Sequence, residues 1–214
     1  MKSRTHLLLA LAASLPLFAC DPPAPKPVPA PVPPTETDSG DLPVAEFLAA
    51  FSGHCGQAYA GRIIVDQPPA EDDPFAGKPL VMHVRECGSS VLKIPFHVGD
   101  DHSRTWVLTP SGARLELKHD HRHADGSEDA VTQYGGTTAS AGTAMRQEFP
   151  VDAESIEMFA REGLTASMSN VWAMEIEPGV RFMYELARPG GRLFQVEFDL
   201  RTPVATPPAP WGHD

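Results

Sequence analysis

From residue 43 onward the apolar positions fall first at helical and then at strand spacing. Val44, Phe47, Leu48 and Phe51 recur every three or four residues behind Pro43, and Ser52-Gly53 ends the run, which predicts a short helix over 43–52. Thereafter the period is two. Alternation predicts strands over 59–65, 79–87, 91–98, 104–109, 113–123, 129–134, 143–149, 168–176, 180–187 and 192–200. Between them stand turn residues such as Gly99-Asp100-Asp101, Pro110-Ser111-Gly112, Gly135-Gly136 and Pro189-Gly190-Gly191. One further helix is expected over 152–162, where Asp152 can cap, Ile156, Met158 and Phe159 give an apolar side and Gly163 stops the run. The polar stretch Thr137–Thr143 reads as a mobile loop. An all-β chain of sequential hairpins is an antiparallel meander. Closing it into an up-and-down barrel of eight to ten strands removes both edges, although a two-layer sandwich fits the same periodicity.

Ahead of this domain the pattern is different. Lys2 and Arg4 precede a largely apolar stretch over 7–19, too short to span a bilayer, that ends Leu17-Phe18-Ala19-Cys20. This resembles the signal and lipobox of bacterial lipoproteins, with Phe18 where a smaller residue is usual; an ordinary secreted protein is the alternative. The resemblance implies a signal peptide over 1–19 and a lipidated Cys20 as the mature N-terminus, holding the chain to the cell envelope of a Gram-negative bacterium with its domain in the periplasm. Asp21 resembles an inner-membrane retention signal of enteric lipoproteins, a rule that does not hold in all bacteria, so inner and outer membrane both stay open. Residues 20–42 are a Pro-rich spacer, 43–202 the barrel domain and 203–214 a Pro-rich tail that packs loosely or lies along the domain.

The charge agrees with a domain facing water. The chain carries a net charge of −11, and losing Lys2 and Arg4 leaves 15 basic and 28 acidic residues, near −13. That balance argues against nucleic acid as a partner, and a monomer is expected. With Cys20 used for the anchor, Cys55 and Cys87 are the remaining thiols, and in an oxidising compartment a disulfide is the simplest expectation.

In architecture, residues 43–200 resemble the calycin superfamily of lipocalins and fatty-acid-binding proteins, without the Gly-x-Trp signature. Asp73-Pro74-Phe75-Ala76-Gly77-Lys78, Ser103-Arg104-Thr105-Trp106 and Lys118-His119-Asp120-His121-Arg122-His123 are similar to phrases in a group of exported Gram-negative lipoproteins. That likeness brings no activity with it. The architecture implies a ligand cavity.

The most informative chemistry lies in 113–123. At strand period Ala113, Leu115 and Leu117 share a face that His119, His121 and His123 continue, while Arg114, Glu116, Lys118, Asp120 and Arg122 form a solvent face. The imidazoles have three uses: a polar interior network, Zn or Cu ligation through His119, His121 and His123, or simple exposure beyond the barrel rim. His83, Arg104, Trp106 and Tyr184 join His119 and His121 as candidate cavity residues, whereas His97 is expected to face outward and His102 to be solvated. No nucleophile elbow, phosphate loop or nucleotide motif stands out, so no catalytic residue is assigned. The expected function is non-enzymatic binding of a small molecule in or at the mouth of a barrel. Metal binding, either for sequestration or to activate water for hydrolysis, and a structural envelope role with a protein partner are the alternatives.

Overall fold

A computed structural model describes residues 42–69 and 73–213. The signal, Cys20 and the spacer lie outside them, save for Leu42. Helix α1 (Leu42–Ala49) precedes the strands β1 (Ala58–Gln67), β2 (Leu80–His83), β3 (Glu86–Cys87), β4 (Leu92–Val98), β5 (Asp101–Ser111), β6 (Arg114–His121) and β7 (Tyr134–Thr137). After β8 (Arg146–Pro150) comes α2 (Ala153–Arg161), then β9 (Val171–Glu177), β10 (Arg181–Arg188) and β11 (Arg192–Val204). All pairings are antiparallel, in the order β7-β6-β5-β4-β2-β1-β11-β10-β9-β8, with β3 beside β4. The result is a nearly closed ten-stranded barrel with one extra strand, consistent with a calycin-like architecture.

The seam lies between β7 and β8, and its chemistry explains a departure from the sequence reading. Gly135-Gly136 is not a turn but the middle of β7. A Cβ on Gly135 would sit 1.8 Å from the Leu117 carbonyl oxygen, and one on Gly136 would sit 1.9 Å from that of Pro150. Only hydrogen in place of a side chain lets this backbone come so close. The approach is used at once: the Asp152 amide donates to the Gly135 carbonyl at 2.9 Å, and the Gly135 amide donates to Ser155 Oγ at 2.8 Å. Asp152 also caps α2, accepting from the Ser155 amide, and its carboxylate takes Lys118 Nζ at 2.7 Å. The start of α2 thus bridges the gap that no ladder closes.

The predicted strand over 129–134 is a loop instead. Asp129 folds back on the Val131 amide, Thr132 Oγ1 accepts from the His121 amide, and Gln133 turns the chain with φ of +55°. The predicted strand over 79–87 divides into β2 and β3, because Val84 pairs with Gln57 while Arg85 has moved to Lys93.

One end of the barrel is solid. Val44 and Phe47 of α1 and Phe51 just beyond it are buried; Phe51 meets Phe182, from the start of β10, edge to face at 5.5 Å. Cys55–Cys87 is a disulfide that ties the turn after α1 to β3. The other end of β10 runs past Tyr184 and Leu186 to Arg188, and there the interior is not filled.

Candidate functional site

The site is built by alternation carried to the open end of the barrel. On β5 the inward face runs Leu108, Trp106, Arg104; on β6 it runs Leu115, Leu117, His119, His121. Tyr184, Leu186 and Arg188 from β10 and Arg192 and Phe194 from β11 complete the wall, with Tyr134 and Trp172 from β7 and β9 and Phe75 from the loop before β2. They enclose a hollow of about 240 Å³. Trp106 forms part of its floor, stacked between Phe96 at 4.9 Å and Tyr184 at 4.6 Å. Phe75 stacks on Phe194 at 5.1 Å and lies 5.8 Å from the Arg104 guanidinium carbon. Contacts of these kinds are each worth about 0.5–1.5 kcal/mol, so they fix the walls.

The polar groups of the floor are held neutral. His119 is 3% exposed; its Nδ1–H donates to the Tyr134 carbonyl at 3.1 Å, which fixes the tautomer and leaves Nε2 to accept from the Tyr184 hydroxyl at 2.8 Å. Burial, reinforced by His121, lowers its pKa to about 3. His121 Nε2 lies 3.2 Å from the Tyr134 hydroxyl, within hydrogen-bond distance, and burial together with the Arg104 charge lowers its pKa to about 4. Burial also raises both tyrosines. At neutral pH these four residues therefore supply hydrogen-bonding capacity without charge.

Charge is confined to the rim. Arg104 pairs with Asp101 at 2.6 Å, Arg192 pairs with Asp66 and donates to the Pro68 carbonyl, and Arg188 donates to Asn170 Oδ1 at 2.5 Å and Ser167 Oγ at 3.3 Å.

Of the residues singled out in the sequence, Arg104, Trp106, His119, His121 and Tyr184 come together here. His83 does not line the hollow. It shares a face with Val81, opposite Leu80 and Met82, and is buried on the outside of the sheet. His123 follows the end of β6 and is 57% exposed, its Nε2 3.9 Å from Asp129. Both His119 nitrogens are occupied by protein partners. Among the described residues no group of three or more His, Cys, Asp or Glu has the geometry to hold a metal ion.

The outer face of β4–β6 also differs from expectation. The tail lies along the domain, one of the two arrangements expected of it: the Trp211 amide donates to the His102 carbonyl at 3.0 Å, and His213 Nε2 meets Asp120 Oδ2 at 2.6 Å. Beneath it Asp120 is only 4% exposed, and His97 is 2% exposed with Nδ1 2.6 Å from that of His102. Neither side chain is solvated, because the tail supplies a second layer where a single sheet would face water. A wider groove of about 410 Å³ runs between α1 and the turns near Gly88 and Gly112. Its walls carry no charged group, so it lacks the convergent polar chemistry of the barrel hollow.

Tyr134, Trp172, Arg188 and Arg192 were missed. For the two arginines the signal was present: one more step of two beyond Leu186, and one fewer before Phe194, lands on them. Comparison with protein-family models, with curated proteins and with solved structures finds no match for this chain.

Proposed function

We propose that the barrel binds one small, largely apolar planar molecule in the hollow bounded by Trp106, Tyr134, Trp172 and Tyr184, and that Cys20 tethers this binding domain to a membrane through a lipid. The observation that carries the binding reading is the contrast between the two barrel ends. One is packed shut by Phe47, Phe51 and Phe182, while the other keeps an aromatic-walled space in whose floor both His119 nitrogens are already paired. An apolar body entering such a site need not strip hydration from the buried His119 imidazole. At about 240 Å³ the space is smaller than the usual drug-sized pocket, so the ligand is correspondingly small.

Titration calorimetry with 2-naphthamide and 2-naphthoate tests this. One-site saturable binding of at least one probe is expected, with binding lost in Leu186→Trp, where the indole fills the hollow. Absence of saturable heats for both probes with the folded wild-type chain refutes the reading.

A further inference from the structure

The hairpin joining β10 and β11 places two cations face to face. Arg188 and Arg192 are direct cross-strand partners, and both continue the inward faces of their strands to the rim. Like charges at opposed positions repel, so this pair calls for compensation. Asp66 supplies it for Arg192, and Asp101 supplies it for Arg104 across the mouth. Arg188 has no acid within reach among the described residues. Its Nε and one terminal nitrogen are held by the neutral oxygens of Asn170 and Ser167, while Nη1 bonds to no described residue. Burial and the neighbouring Arg192 both disfavour its charge, drawing its pKa below the ordinary arginine value. Arg188 is thus a guanidinium without a carboxylate partner among the described residues, at the rim of an aromatic hollow, in a chain whose overall charge is −11. A general attraction for anions is therefore absent, and any anion bound here is held locally.

We propose that the ligand of the hollow is a small aryl carboxylate, its ring against Trp106 and its carboxylate on Arg188. This rests on the reading of the hollow as a ligand site. A carboxylate matches the planar fork of a guanidinium, and a monoanion offsets the charge of Arg188. A flat ring suits walls of Trp106, Tyr134, Trp172 and Tyr184 within the small volume.

The test compares 2-naphthoate with its uncharged isostere 2-naphthamide on the full chain at neutral pH. Wild type should bind the carboxylate at least about tenfold more tightly, a difference of about 1.4 kcal/mol. Arg188→Gln should bring the two affinities to within about twofold by weakening naphthoate alone, whereas Arg62→Gln, at an exposed position on β1, should leave the preference intact. Raising the salt from about 0.02 M to about 0.3 M should weaken naphthoate and leave naphthamide unchanged. Equal binding of the two probes by wild type overturns the anion proposal while the hollow remains a ligand site; failure of both to bind removes the two together. Should Arg188→Gln lose both probes because the Ser167–Asn170 segment has rearranged, the salt response of wild type decides, and a flat response for naphthoate overturns the proposal.

Discussion

Replacing His119 by glutamine isolates the cost of carrying a neutral imidazole in the floor of the hollow. The side chain is buried, stacks on Tyr134 at 4.6 Å and uses both nitrogens, to the Tyr134 carbonyl and from the Tyr184 hydroxyl. Glutamine can keep a donor or an acceptor here but not both in the same positions, so a loss of about 1–3 kcal/mol is expected near neutral pH. The more specific consequence is in the pH dependence. Folded His119 resists protonation down to about pH 3, whereas the unfolded residue takes a proton near its ordinary value of 6.5. Its contribution to stability is therefore complete above about pH 6.5 and falls by about 1.4 kcal/mol per unit below it, levelling off once the folded pKa is passed. Between about pH 7.5 and about pH 5, wild type should lose about 2 kcal/mol more than His119→Gln, since every other titrating group is common to both proteins. Urea unfolding followed by tryptophan fluorescence at the two pH values measures the difference directly. Parallel pH dependences in the two proteins would refute the assignment of His119 as a buried neutral imidazole.

Two further outcomes are expected. The Cys55–Cys87 bridge closes a separation of 32 residues, so Cys87→Ser should lower stability by about 3–4 kcal/mol, chiefly through the unfolded chain. A change below about 1 kcal/mol in urea unfolding would contradict that origin. For the proposed tether, Cys20→Ala should move the protein from the membrane fraction to the soluble fraction, and unchanged detergent partitioning would exclude the anchor.

Strand phase was legible in the chain itself. A barrel wall has one face toward the core, and a residue's parity along the strand decides which face it joins. Hence Leu115, Leu117, His119 and His121 share the interior as alternation requires, and so do Trp106 and Tyr184. The helix before the first strand and the capped helix after Asp152 were likewise written locally, in apolar spacing and a cap residue. What the sequence could not express was contact between segments remote along the chain. Gly135-Gly136 looks like a turn because the reason for two glycines is the backbone of Leu117 and Pro150 against them. His97 and Asp120 occupy outward positions, yet the tail from Pro210 to His213 covers that face and changes their solvation. The histidine run permits metal binding, a polar network or exposure until Tyr134 and Tyr184 arrive from other strands and occupy both nitrogens of His119. Arg188 and Arg192 follow from parity, but that Arg192 has a carboxylate partner depends on Asp66, more than a hundred residues away. Parity sets the direction of each side chain; the partners it meets there, and so its charge and its use, are set by closure of the barrel.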